Sequence, residues 1–107
     1  MNDPQTVTEL RRQVARIKAA YTQANDNRCR ADENRLVAII AQNAAERELA
    51  AHATKETKTN LKTAKEKVKQ ATEEFETADK AFMTVYKQKI HLEDELEHTE
   101  RKPRNVR

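Results

Sequence analysis

The sequence predicts an all-α fold: an antiparallel coiled-coil helical hairpin or elongated helical bundle with a kinked N-terminal half, oligomeric in its working form. Three observations carry this expectation. The 107 residues include no glycine, and glycine is the residue that tight β-hairpins and phosphate-cradling loops use where φ must be positive. The two prolines, Pro4 and Pro103, stand at the ends of the chain, so nothing between them interrupts a helix. Apolar residues recur at alternating steps of three and four, the spacing that lines one helix face against another. Charged residues make up 36% of the chain and aromatic residues 4%, which suits long solvated helices better than a thick globular core.

The first helix is expected to open at Asp3-Pro4, where an aspartate can accept the free amides of the first turn and a proline loses nothing by lacking its own. Its seam runs Val7, Leu10, Val14, Ile17, Tyr21 and Ala24. Asn25-Asp26-Asn27 follows, three side chains that bond their own backbone and favour turns, and a kink or short turn is expected there. A second seam phase then begins at Cys29 and runs through Leu36 and Ile40. The cluster Leu36, Val37, Ile39 and Ile40 is apolar around more than half the helix and calls for neighbours on two sides. Between His52 and Asn60 the chain is poor in apolar residues and rich in threonine, which makes it the candidate reversal. Polar seam positions at Asn43, Arg47, Thr54 and Thr57 would instead carry one long bent helix straight through.

The last segment has the strongest pattern. Leu61, Ala64, Val68, Ala71, Phe75, Ala78, Phe82 and Val85 keep strict three-four spacing, extended by Leu92 and Leu96, until Pro103 is expected to stop the helix near Arg101. The expected segments are therefore 4–24, 28–53 and 58–101 of a single helical domain spanning 1–107, with a basic tail at 102–107. A helix over 58–101 is roughly 65 Å long at 1.5 Å per residue, and such a stripe needs a partner of matching length. Large residues alternate with alanines along it. A parallel in-register pair would stack Phe on Phe and Ala on Ala, leaving hollow layers that cost on the order of 1 kcal/mol each. Antiparallel contacts, which set large against small, are expected instead.

Charge in the C-terminal half falls into bands. A lysine band (Lys55, Lys58, Lys62, Lys65, Lys67, Lys69) precedes an acidic one (Glu73, Glu74, Glu76, Asp79), and Lys80, Lys87 and Lys89 precede Glu93, Asp94, Glu95, Glu97 and Glu100. Few acids have a base four positions on, Glu76 with Lys80 and Glu97 with Arg101 being the main cases, so the bands are better suited to pairing between helices than within one. The N-terminal basic residues Arg11, Arg12, Arg16 and Lys18 lie opposite the first seam as a solvated face.

Sites for chemistry are sparse. The chain has no serine, and thin helical layers offer no concave pocket to house a base-activated nucleophile, so no catalytic residue, no cofactor and no enzymatic activity are expected. Glu95 and His98 have the Glu-x-x-His spacing of ferritin-like bundles, and Glu48 with His52 is the other comparable pair. Neither pair lies in a seam, and no metal site is assigned. A single cysteine excludes an intramolecular disulfide, and Cys29 is read as a small buried residue. No apolar run approaches the 18 residues of a spanning helix, so a cytoplasmic protein, or an intracellular assembly component, with no membrane span is expected.

Function on this basis is that of a coiled-coil structural, assembly or adaptor protein. Its interface is expected to be Val7, Leu10, Val14, Ile17, Tyr21, Leu36, Ile40, Leu61, Ala64, Val68, Ala71, Phe75, Ala78, Phe82 and Val85, and its partner a further copy of itself or another helical protein. The alternative is a nucleic-acid-associated oligomer that uses the lysine band and the tail residues Arg101, Lys102, Arg104 and Arg107. Four phosphate contacts without an aromatic platform would bind weakly and with strong salt dependence.

Overall fold

The computed structural model describes residues 4–105, with side chains over 6–101. Two helices account for nearly all of them: α1 over Pro4–Ala51 and α2 over Lys55–Asn105. No strand occurs among the described residues. The chain forms two compact units, one built from residues up to Asn25 together with those from Lys80 onward, the other from Asp26–Asp79.

In the first unit the two segments run antiparallel, since Arg11 meets Glu100 at 2.6 Å while Lys18, one heptad later, meets Glu93 at 3.9 Å. Leu10, Val14 and Phe82 are buried and Val7, Ile17, Tyr21, Val85, Leu92 and Leu96 half-buried. Both seams are made of large apolar side chains. An aromatic cluster closes one end, with the Tyr21 ring 5.2 Å from Phe82 and 6.2 Å from Tyr86. The Lys89 ammonium stands 5.1 Å from the Tyr21 ring and bonds Glu93 at 3.0 Å, so its alkyl stem fills a seam position while the charge stays paired.

The second unit is a helical hairpin, and its reversal is confined to His52, Ala53 and Thr54. A threonine pair builds it. The amide of Thr57 donates to Oγ1 of Thr54 at 3.1 Å, and the amide of Thr54 donates to Oγ1 of Thr57 at 2.9 Å. This is a reciprocal capping box with threonine in place of the usual Glu or Gln at the third helical position. The Thr57 hydroxyl in turn donates to the His52 carbonyl at 2.6 Å, tying the start of α2 to the end of α1. Thr57 is buried, and these bonds are what make that burial tolerable.

Several expectations are corrected here. α1 is helical through Asn25, Asp26 and Asn27, so no turn forms there. Asn and Asp cost only about 0.5 kcal/mol each in a helix interior, less than breaking a helix that is packed on both sides. The second seam phase expected from Cys29 does not form. Inward positions after Ala24 are Arg28, Ala31, Arg35, Ala38, Gln42, Ala45 and Leu49, all half-buried, and they continue the three-four count of Val7 to Ala24 without a skip. Leu36 and Ile40 are therefore outside, exposed by 50% and 65%. Cys29 is exposed as well. The break comes at 52–54, and the bent-helix route through Thr54 is excluded. Finally, α2 does not stop near Arg101 but includes Pro103 and runs to Asn105; so close to a helix end, the bond a proline removes and the carbonyl it crowds disturb few further turns.

Candidate helix-docking face

On α2 the residues expected at the seam do face α1. Ala64, Ala71 and Phe82 are buried, and Leu61, Val68, Phe75, Ala78 and Val85 half-buried. The pattern extends further than expected, to Thr57 at one end and to Lys89 and Thr99 at the other. All three are polar and carry no hydrophobic signal, although each falls on the same three-four count; Thr57 is expected at a seam only on the continuous-helix route. The partner of this stripe is the chain's own α1, so Val7 to Tyr21 and Leu61 to Val85 are covered within a single copy. Leu36 and Ile40 are the two expected interface residues that the fold leaves uncovered.

The seam opposite α2 in the second unit explains why. Arg35 lies across the hairpin with its guanidinium carbon 4.6 Å from the centre of the Phe75 ring, and it is bonded to Asp32 at 2.9 Å. Arg28 reaches Asp79 at 3.6 Å. These two long side chains take inward positions of α1 opposite Phe75 and Asp79, while Leu49 lies beside Leu61. Arg35 Nε is buried and has no hydrogen-bond partner among the described residues, which marks the fit as imperfect. With arginine, glutamine and alanine turned inward over 28–45, Leu36, Val37 and Ile40 are left on the opposite face.

That face is the candidate site. Leu36, Val37 and Ile40, at 50, 67 and 65% exposure, share one helix surface, since Ile40 stands four residues after Leu36 and three after Val37, the spacings at which helix side chains adjoin. Ala41 and Ala44 continue it and are also exposed. Scattered apolar residues at a surface need no explanation, whereas contiguous large ones are characteristic of interaction surfaces. Glu33 lies at one end of the same stripe and Arg47 at the other, both exposed.

No protein-family model matches the chain, and no curated protein or solved structure is similar to it. The geometry alone therefore carries the functional argument. Among the described residues no group of three or more His, Cys, Asp or Glu side chains is placed to hold a metal ion. The Glu95 carboxylate stands 3.8 Å from the His91 imidazole one turn before it, and His98, Glu48 and His52 are exposed. No helix among the described residues is long and apolar enough to cross a membrane.

The charged residues sort into two groups. Arg11 and Lys18 engage Glu100 and Glu93 across the first unit, so the acidic band near the C-terminus meets basic residues of α1. Arg101 is exposed and pairs with Glu97 at 2.6 Å; Lys102 and Arg104 lie in α2 with side chains outside the described set, and Arg107 lies outside the described residues. In the second unit Lys58, Lys62, Lys65 and Lys69 fall on one stripe of α2 and flank a shallow open groove beside Leu49 and Leu61. All four are exposed.

Proposed function

We propose that this chain is a non-enzymatic assembly or adaptor module that works by docking helices on the outer face of α1, in an intracellular setting. The observation that carries this reading is the outward trio Leu36, Val37 and Ile40 on a thin two-helix layer. Burying such a trio fully would contribute roughly 1.5 kcal/mol or more for each side chain, and the hairpin itself leaves that stabilisation unused. The test compares the wild-type chain with Ile40→Glu by sedimentation and by co-purification from native cells. An assembly, with itself or with another helical protein, that is lost in the variant while helicity by circular dichroism is retained is the expected result. Identical sedimentation and identical bound proteins for both would overturn the reading.

A second reading, association with a polyanion such as RNA or DNA, is favoured by the stripe Lys58, Lys62, Lys65 and Lys69. Four lysines at helical spacing on one exposed surface can follow a phosphate backbone, and none of them has an ion-pair partner among the described residues. Binding through them would weaken with salt at a slope of about −3 to −4 in log K against log salt concentration. Failure to retard single- or double-stranded nucleic acid at low salt would dispose of it.

A further inference from the structure

We infer that the outer face of α1 is covered by a second copy of itself, antiparallel, about a two-fold axis that passes at Ile40. The inference rests on the helix-docking reading and adds the identity and direction of the occupant. Charge and size both point to it. Glu33 and Arg47 stand seven residues before and seven residues after Ile40 on the same stripe, exposed at its two ends. Neither has an ion-pair partner among the described residues.

A two-fold axis at Ile40 brings each Glu33 opposite the second copy's Arg47, so one symmetric contact makes the opposite-charge pairing twice. The same axis sets Leu36 opposite the second copy's Ala44 and Ile40 opposite Ile40, filling each level with one large and one small side chain or with two of moderate size. A parallel copy in register would set Glu33 against Glu33 and Arg47 against Arg47. Like charges would then meet at both ends of the patch, and Leu36 would be stacked on Leu36 with Ala44 on Ala44. The antiparallel arrangement satisfies charge and volume together; the parallel one satisfies neither.

Cys29 reports on direction independently. It is exposed and lies eleven residues before Ile40 on this face of α1, so an antiparallel pair separates the two Cys29 positions by about 33 Å along the helix axis. A disulfide needs α-carbons within about 7 Å. A parallel pair would place the two thiols side by side.

The experiment is sedimentation equilibrium on the full chain from about 1 to 200 µM, with Ile40→Lys, Glu33→Arg, Arg47→Glu and the exchanged double variant E33R/R47E, each checked for helicity by circular dichroism. The wild type is expected to form a dimer, and Ile40→Lys is expected to be a single chain of unchanged helicity. Each single charge reversal should weaken the dimer by at least about tenfold, because it turns two attractions into two repulsions, and the exchanged variant should return to within about threefold of the wild type. Under mild oxidation the wild type should cross-link through Cys29 no faster than Ile40→Lys. A wild type that stays a single chain throughout this range overturns the second copy as occupant, yet leaves docking of a different helical partner to its own co-purification test. A dimer lost in Ile40→Lys but indifferent to both single charge reversals, or one that cross-links rapidly through Cys29, overturns the antiparallel geometry while the docking face stands.

Discussion

The two units solve the same packing problem with opposite distributions of side chains. Each lays a stretch of α1 antiparallel to a stretch of α2 on a three-four seam. In the first, large apolar residues line both sides, with Leu10, Val14 and Phe82 buried and Tyr21 packed on two further rings. In the second, α1 turns Arg28, Arg35, Gln42 and alanines inward and leaves Leu36, Val37 and Ile40 outside. The difference teaches that heptad geometry fixes which positions face inward, whereas the chemistry at those positions decides whether a pair of helices is self-sufficient. The first unit leaves its outer apolar side chains, Met83, Tyr86 and Ile90, at 39–40% exposure, whereas the second leaves Leu36, Val37 and Ile40 at 50–67%.

Substitutions that act on the two units should separate them. The largest effect is expected for Phe82→Ala, which removes a buried ring from the aromatic cluster and should cost about 3–5 kcal/mol in denaturant unfolding. Ile40→Ala, measured the same way at a concentration where single chains dominate, should change stability by no more than about 0.5 kcal/mol. Similar losses for both would erase the contrast. Next comes the reversal. Thr57→Ala deletes the hydroxyl that accepts from Thr54 and donates to His52, and a loss of about 1–2 kcal/mol is expected, with hydrogen exchange accelerated chiefly in the first turns of α2.

Arg35→Leu should move stability in the other direction. It loses the stacking on Phe75 and the bond to Asp32, but it removes a buried Nε without a partner and buries aliphatic surface in its place. A gain of about 1 kcal/mol is expected, and a loss of similar size would show that the arginine holds the hairpin together better than its geometry suggests. The smallest effect should come from Glu100→Gln in the first unit. Its partner Arg11 is well exposed, so the change should cost no more than about 0.5 kcal/mol at low salt and nothing measurable at 1 M.

Much of this architecture was legible in the sequence, and its failures have a common cause. The stripe from Leu61 to Leu96 and the seam from Val7 to Ala24 were readable because large apolar residues occupy the inward positions. The middle of α1 was misread for the converse reason. Leu36 and Ile40 look like core residues, so their spacing suggests a new seam phase and hence a break at Asn25 to Asn27. The count from Ala24 to Arg28 to Ala31 to Arg35 in fact continues unchanged, but an arginine in a seam carries no hydrophobic signal. Lys89 and Thr99, seam residues with polar ends, carry no hydrophobic signal either. The reversal was placed in the right stretch, and its threonine-for-glutamate capping box, Thr54-x-x-Thr57, is the signal that would have fixed its boundary. The uncovered face itself was within reach of the sequence, since Leu36, Val37 and Ile40 cannot all turn toward one neighbouring helix.

The central claim is that Leu36, Val37 and Ile40 of α1 point away from α2 while Ala31, Ala38 and Ala45 point toward it. Thiol labelling tests this directly. In a Cys29→Ser background, Ala38→Cys and Ile40→Cys are each exposed to a maleimide at a dilution where sedimentation shows single chains, and the rates are compared with those of the unfolded protein. The account predicts that the thiol at position 40 reacts within about threefold of the unfolded rate and the one at position 38 at least about tenfold more slowly. Fast labelling at 38 with protection at 40 would place the seam on the other face of α1 and contradict the account.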